Sequence, residues 1–478
     1  MKKRTKIVAT LGPATDRPEV LESMIRAGVD VVRINFSHGS PEDHRRRVVR
    51  IREAAAKVGK DIGVLGDLQG PKIRIERFRE GPVELVEGGR FVLDASLEAD
   101  AGTIDAVGVT YKALPADVAA GDVLLLNDGA IVLAVDRIEG SRVECVVQVG
   151  GTLSDSKGIN RQGGGLSARA LTDKDRADIR TAAELELDFL AVSFPREAAD
   201  MDEARRLLHD AGGSALLVAK IERAEAVEHI EEITEASDVV MVARGDLGVE
   251  IGFAEVPGVQ KNIIRVARDM NRVVITATQM MESMIHEPIP TRAEVSDVAN
   301  AVIDGTDAVM LSAETAVGRY PVKAVEAMAS ACISAERQRV ATHSRHRMDD
   351  FFLRTDEAIA MATMYTANHM DVKAIVALTE SGNTVLWMSR IRSGIPVYAF
   401  SRNEATRRRV ALYRGVYPIP FDVMHEGGPE GFYAVCSTLL DRGLAAEGDR
   451  ILFTEGYQAG VTGGTNAMKI LKIRRPAD

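Results

Sequence analysis

Eight short apolar runs, separated by amphipathic stretches, restrict this chain more than any other feature. Three lie at Lys6–Leu11, Val31–Asn35 and Ile62–Asp67. Five more lie at Phe189–Val192, Leu216–Ile221, Val239–Ala243, Val273–Ala277 and Ala308–Leu311. The stretches between them, such as Glu19–Ala27 and Pro41–Lys57, carry helical spacing. Strand alternating with helix implies parallel β/α units. Eight in succession are the pattern of a (β/α)8 TIM barrel. An open doubly wound sheet has similar texture, and strand number alone does not separate the two. No Gly-x-Gly-x-x-Gly follows a strand, which weighs against a dinucleotide-binding sheet.

The series is interrupted. Between the third and fourth runs the segments become short and β-branched, with Gly, Asp and Asn between them: Lys72–Phe78, Phe91–Leu93, Val107–Tyr111, Val123–Leu126, Ile131–Ile138 and Val143–Val149. This predicts a small all-β domain at 70–170, inserted into a barrel built from 1–69 and 171–340. After a helix over Val322–Arg337 and a polar linker, His343–Asp350, a further α/β domain is expected at 351–478. Its strands are expected at Ala374–Leu378, Val397–Phe400, Val416–Ile419 and Ile451–Thr454, with a last run at Met468–Ile473. A chain of 478 residues is long enough for such a division. With aromatic residues at only 4%, aliphatic side chains must fill the cores.

Bulk charge removes several function classes. A formal net charge of −10 disfavours nucleic acid and anionic lipid as partners. No segment approaches the roughly 20 apolar residues that span a bilayer. The start, MKKRTKIVATLG, lacks the apolar stretch of a signal peptide. Three cysteines, far apart, have no metal-ligand spacing and suit a reducing compartment. A cytoplasmic protein is expected.

A (β/α)8 barrel builds its site at the C-terminal ends of its strands. The polar residues there form a ring: Thr10 and Pro13; Arg33, Asn35, Ser37 and His38; Asp67, Gln69 and Lys72; Ser193; Lys220 and Glu222; Arg244 and Asp246; Thr276, Thr278 and Gln279; Ser312 and Glu314. Glu222 and Asp246 suit Mg²⁺, which takes one or two carboxylates and keeps positions for water and substrate oxygens. Arg33, Arg74 and Lys220 suit a phosphoryl group. One such residue is usually a cap or a surface ion pair. Matching charges on at least five strands are not. The ring points to metal-assisted phosphoryl or enolate chemistry. No Walker loop is present, so a nucleotide must bind by another device.

Asn35-Phe36-Ser37-His38-Gly39, Gly70-Pro71-Lys72-Ile73-Arg74, Lys220-Ile221-Glu222 and Ala243-Arg244-Gly245-Asp246-Leu247-Gly248 resemble pyruvate kinase, as do Met280 to Val302, Met310 to Ala316 and Leu412 to Pro418. The likeness runs the length of the chain. It implies phosphoryl transfer from phosphoenolpyruvate to ADP with Mg²⁺ or Mn²⁺. Lys220 is implied at the phosphoryl group and enolate oxygen, Arg33 at the phosphoryl group, and Glu222 and Asp246 at the divalent ion. Backbone N–H groups at Gly245 and Asp246 are implied for the substrate carboxylate, and Thr278 for carboxylate orientation and proton delivery. Pro13, His38, Arg74 and Lys157 are implied for ADP, with the insertion, a small β-barrel, closing as a lid. A homotetramer is the usual assembly.

One departure stands out. Many relatives bind K⁺ through a pocket that here comprises Asn35, Ser37 and Asp67. They carry Thr-Lys-Gly-Pro-Glu where this chain has Leu68-Gln69-Gly70-Pro71-Lys72. The Lys72 ammonium is expected beside Asp67 in place of K⁺, so that K⁺ is not required. In the C-terminal domain, Thr379, Ser381, Gly382, Asn383 and Thr384 form a candidate phosphate cradle for an effector. Glu380 argues for a sugar monophosphate or AMP rather than a bisphosphate. The Gly-rich loop Gly456–Gly464 is expected to close on it.

Two rivals remain at this stage: a metal-dependent lyase or aldolase acting on pyruvate enolate without ADP, and an enzyme-like regulator that only binds a phosphorylated metabolite.

Overall fold

The computed structural model describes residues 2–342, 346–347, 350–422, 428–457 and 462–474. Parts of the linker 343–350 and of the loop 456–464 therefore lie outside the described residues. The eight apolar runs become strands β1 (Lys6–Thr10), β2 (Val31–Asn35), β3 (Gly63–Asp67), β4 (Phe189–Val192), β5 (Leu216–Ile221), β6 (Val239–Ala243), β7 (Val273–Ala277) and β8 (Ala308–Leu311). Each pairs in parallel with the next, and β1 pairs with β8 to close the barrel. The open-sheet alternative is thereby excluded. Most of these strands are buried on both faces, which is why they read as continuous apolar runs rather than alternating ones.

Alternate side chains serve two cores. Ile7, Val32, Val64 and Leu190 face the surrounding helices. Val8, Val31, Leu65, Phe189, Val218, Met241 and Met310 fill the barrel interior. That interior cluster continues into the C-terminal unit through Ile375, Met388, Val397 and Leu412. The C-terminal unit thus docks on the barrel floor, opposite the mouth. Its sheet has strands β9 (Ala374–Leu378), β10 (Val397–Ser401), β11 (Val416–Pro420), β12 (Arg450–Gly456) and β13 (Thr465–Lys472), ordered β11-β10-β9-β12-β13, with only β13 antiparallel.

The floor is riveted by a buried pair. Arg390 Nη1 and Nη2 donate to Asp307 Oδ2 and Oδ1 at 2.9 and 2.5 Å. Both residues are 1% exposed. Removing one partner strands a buried charge, so Arg390→Leu is expected to cost about 3–5 kcal/mol of stability in urea unfolding.

The insertion is mostly β, with one short helix, Leu114–Asp117, that the all-β expectation did not include, and it has a core of its own. A six-stranded sheet runs in the order Ile159–Arg161, Val123–Leu126, Ile131–Glu139, Arg142–Val149, Arg90–Asp94, Ala106–Gly108. Val83–Leu85 and Gly151–Leu153 form a separate pair. The strand expected at Lys72–Phe78 is not regular. It makes only isolated bridges, at Arg74, Ile75 and Phe78. The reason is that it crosses between neighbours. Ile75 N–H donates to Lys157 O, Glu76 N–H to Gly108 O and Arg77 N–H to Ala99 O, so no single ladder forms. The exit from β3 turns at Gly70, where φ is +66° and an added Cβ would lie 2.8 Å from Ser193 Cβ, leaving no room for a side chain.

Candidate active site

The strand ends bring four charged groups into one buried network at the barrel mouth. Arg33, at position three of β2, lies opposite Leu65 of β3 and Thr10 of β1. Its Nε donates to Asp67 Oδ2 at 2.5 Å and its Nη1 to Thr10 Oγ1 at 3.2 Å. Lys220, near the end of β5, donates to Ser193 Oγ at 2.7 Å. The same Nζ lies 2.9 Å from Glu222 Oε1 and 3.3 Å from Asp67 Oδ1. Asp67 and Glu222 are nearly inaccessible, at 1% and 2% exposure.

Burial opposes the charge on each member, and the partners decide the outcome. For Asp67, burial is outweighed by Arg33 and Lys220, which hold its carboxyl below the usual range. For Lys220, burial is outweighed by Asp67 and Glu222, which raise the ammonium above its ordinary value. Glu222 goes the other way. Burial, reinforced by the Asp246 charge and only partly opposed by Lys220, pushes it up to about 7. Two facing carboxylates that repel each other suit a divalent cation. Glu222 Oε2 also accepts the Phe194 N–H at 3.0 Å, which fixes the carboxylate plane. Among the described residues no group of three His, Cys, Asp or Glu side chains could hold a metal. A pair of carboxylates completed by water and substrate oxygens fits Mg²⁺ better than a caged metal.

The helix Arg244–Ile251 starts at the end of β6 and presents Gly245 and Asp246 to the mouth. Gly245 N–H donates to Thr278 Oγ1 at 2.8 Å. Thr278 and Gln279 have φ of +68° and +53°, and Phe194 has +57°. Non-glycine residues with positive φ cost energy, and three at the mouth mark backbone held for a purpose. Arg244 supports this turn from below, donating to Thr278 O at 2.8 Å and pairing with Asp297 at 2.7 Å.

Lys72 is placed differently from the expectation. Asp67 has Arg33, Lys220 and Ser193 as partners, whereas the Lys72 ammonium lies 3.2 Å from Asp246 Oδ1. The irregular path of 72–78 carries it past Asp67 toward β6. Asn35 lies opposite Asp67 in the β2–β3 register and accepts the Ser37 N–H at 3.0 Å. In the insertion, Arg74 bridges to Gly158, the neighbour of Lys157, and its Nη1 donates to Ser156 O at 2.7 Å. Pro13 and His38 are exposed at the rim.

Sequence reasoning missed Phe194 and Glu250. Glu250 accepts from Ala224 N–H at 3.0 Å and from Asn160 Nδ2 at 3.4 Å, tying the Glu222 loop to the insertion. A glutamate on an ordinary helix face carries no sequence signal for that role.

In the C-terminal unit, Gly382 has φ +89° and opens the helix Asn383–Arg390. Thr379 Oγ1 accepts the Gly382 N–H at 3.0 Å, and Ser381 Oγ the Asn383 N–H at 3.5 Å. Thr384 is buried, its hydroxyl 2.8 Å from Thr465 Oγ1. Glu380 is paired with Arg402 at 3.4 Å, which offsets its charge.

Among the described residues, no helix is long and apolar enough to cross a membrane. The family model for the pyruvate kinase barrel domain matches residues 2–325, and that for the pyruvate kinase alpha/beta domain matches 357–471. The chain is 56% identical to pyruvate kinase II of Salmonella typhimurium, covering 98% of this chain and 99% of that one. It is 55% identical to the pyruvate kinase of Haemophilus influenzae over the same shares. A solved pyruvate kinase from Cryptosporidium parvum superposes with a TM-score of 0.93 at 33% identity, covering 99% of this chain and 96% of that one. The chain belongs to the pyruvate kinase family of phosphotransferases.

Proposed function

We propose that this chain transfers the phosphoryl group of phosphoenolpyruvate to ADP, giving pyruvate and ATP, with Mg²⁺ and without K⁺, the Lys72 ammonium supplying a fixed positive charge at the mouth from beside Asp246 rather than Asp67. The observation that carries this is the Arg33–Asp67–Lys220–Glu222 network beside the Gly245–Asp246 helix start. Phosphoryl and enolate oxygens gain negative charge during transfer, and Lys220 and Arg33 stand ready to neutralise it. Glu222 and Asp246 would hold Mg²⁺, which would supply Lewis-acid neutralisation of the charge that develops during transfer. The substrate carboxylate takes N–H groups at the start of Arg244–Ile251, which have no intrahelical acceptors, and displaces the Thr278 hydroxyl that the Gly245 N–H now binds. Thr278 orients that carboxylate and delivers, through water, the proton that enolpyruvate needs. Its hydroxyl already holds Gly245, so carboxylate site and proton source share one anchor. Pro13, His38, Arg74 and Lys157 hold ADP, and closure of the insertion over the mouth excludes water, so that transfer outcompetes hydrolysis. The enzyme works as a cytoplasmic homotetramer, with a phosphorylated sugar or AMP as effector at Thr379–Thr384.

The Glu222 carboxyl yields a test independent of turnover. In the folded, metal-free chain it titrates at about 7 rather than its ordinary 4.5. The folded state therefore binds the extra proton between those values. Its stabilising contribution is full below the lower value and lost as pH rises through the upper one. Mg²⁺ needs the carboxylate and competes with that proton, so its affinity falls as pH drops below about 7. The rise in melting temperature on adding MgCl₂ is expected to be larger at about pH 8 than at about pH 6. Equal rises at both would contradict the assignment of Glu222 to the metal.

A further inference from the structure

The insertion's returning segment is held to the barrel mouth at four points. Gly163 N–H donates to Glu250 O at 2.9 Å, and Asn160 Nδ2 to Glu250 Oε1 at 3.4 Å. Gly165 N–H donates to Glu225 Oε1 at 2.6 Å, and Arg223 Nη2 to Leu166 O at 2.7 Å. The approach is close, since a Cβ on Gly164 would lie 2.6 Å from Glu225 Oε2. The barrel side of these bonds comes from two places. Arg223 and Glu225 follow Glu222 in the loop after β5, and Glu250 lies one helical turn past Asp246 in Arg244–Ile251. The elements that carry the two carboxylates assigned to the divalent ion are therefore the elements that grip the insertion.

Glu250 joins all three parts. Its side chain is buried. Oε2 accepts the Ala224 N–H at 3.0 Å. That N–H opens the helix Ala224–Glu228, where Arg223, the residue at the cap position, makes no side-chain cap bond. Glu250 thus supplies from another element the acceptor that a helix start needs. Its main-chain oxygen is one of the last carbonyls of its own helix, and the Gly163 N–H satisfies it. Burial pushes its carboxyl up to about 7, with the Ala224 N–H and the Arg223 charge opposing. A carboxyl buried against that cost is held there by its hydrogen bonds.

We propose that Glu250 is a positioning residue for phosphoryl transfer, which sets the placement of Glu222 relative to Asp246 through Ala224 and holds the insertion to that pair through Asn160. The inference rests on the assignment of Glu222 and Asp246 to the divalent ion. Mg²⁺ tolerates little departure from its preferred geometry, so two carboxylates on separate loops need a shared support. Glu250 provides it with one oxygen toward each neighbour. The Asn160 arm has a second consequence. Asn160 stands three residues after Lys157, which is given to ADP, so this arm also fixes where the insertion presents its nucleotide group.

The test is calorimetric titration of the substrate-free full chain with Mn²⁺ alone, with melting curves, beside steady-state kinetics. Glu250→Ala is expected to weaken Mn²⁺ binding by roughly 10–100-fold and to lower kcat, as loss of a group behind metal ligands does. Glu250→Gln is expected to recover most of that loss, to within about threefold of the wild type, because its oxygen takes the Ala224 N–H and its NH₂ donates to an Asn160 amide turned to present oxygen. Asn160→Ala cuts the insertion's arm alone. It should keep the Mn²⁺ affinity within about threefold while raising KM for ADP by roughly 5–10-fold. A residue that served stability alone would lower the melting temperature without splitting metal affinity from KM for ADP. Unchanged Mn²⁺ affinity in Glu250→Ala, or a glutamine variant no better than the alanine one, overturns the proposal. If Glu250→Ala does not fold, Asn160→Ala decides, and an unchanged KM for ADP overturns it. A wild type that binds no Mn²⁺ overturns the metal assignment itself, whereas a wild type and a Glu250→Ala variant that bind it equally overturn the role of Glu250 alone.

Discussion

Lys220→Gln is expected to lower kcat by roughly 10²–10³-fold, with a much smaller change in KM for phosphoenolpyruvate. The argument rests on what kind of group Lys220 is. Its ammonium sits between Glu222 and Asp67 at 2.9 and 3.3 Å, and these carboxylates raise it above its ordinary value despite burial. A lysine stabilised as a cation does not exchange protons near neutral pH. It therefore acts as a fixed charge, and proton delivery falls to Thr278 and water. A fixed charge aimed at developing negative charge is worth most in the transition state, so kcat carries the loss. Glutamine also leaves Glu222 less opposed by positive charge, so Mg²⁺ binding should weaken most at low pH. Steady-state kinetics with a melting curve for each variant separates these effects. A kcat within about fivefold of the wild type would remove Lys220 from the chemistry.

Lys72→Glu is expected to create a dependence on K⁺. In the wild type the Lys72 ammonium lies 3.2 Å from Asp246, with both side chains about a quarter exposed. Reversing that charge places two carboxylates together at the proposed metal pair. At the effective dielectric of a partly exposed site, and after discounting for screening, the penalty is about 1–3 kcal/mol, or roughly 10–100-fold in rate. A monovalent cation bound between the new carboxylate and its neighbours relieves it. Activity in K⁺-free buffer should fall accordingly and return as KCl is added. Lys72→Met should lower activity without that rescue, because it brings no ligand for the ion. K⁺ activation of the wild type as strong as that of the glutamate variant would contradict the account.

Most of the barrel was legible in the sequence because strands buried on both faces must be apolar throughout, and their ends must then carry the polar residues that face the mouth. Arg33, Asp67, Lys220 and Glu222 could be found that way. What escaped depends on routes between elements. Lys72–Phe78 has strand composition, yet it exchanges bonds with three neighbours and aligns with none, and that path moves Lys72 from Asp67 to Asp246. Phe194 contributes a backbone N–H, which any residue type supplies, and Glu250 matters through partners 26 and 90 positions away. In the cradle, Thr384 reads as a free hydroxyl until β13 brings Thr465 against it.

The most direct measurement of the central claim is product formation from phosphoenolpyruvate, ADP and MgCl₂ in buffer free of K⁺. Pyruvate and ATP are expected to appear in equal amounts, to cease when the divalent ion is chelated, and to change by less than about twofold in rate when KCl is added. Pyruvate formed without ATP, or no product until K⁺ is supplied, would contradict it.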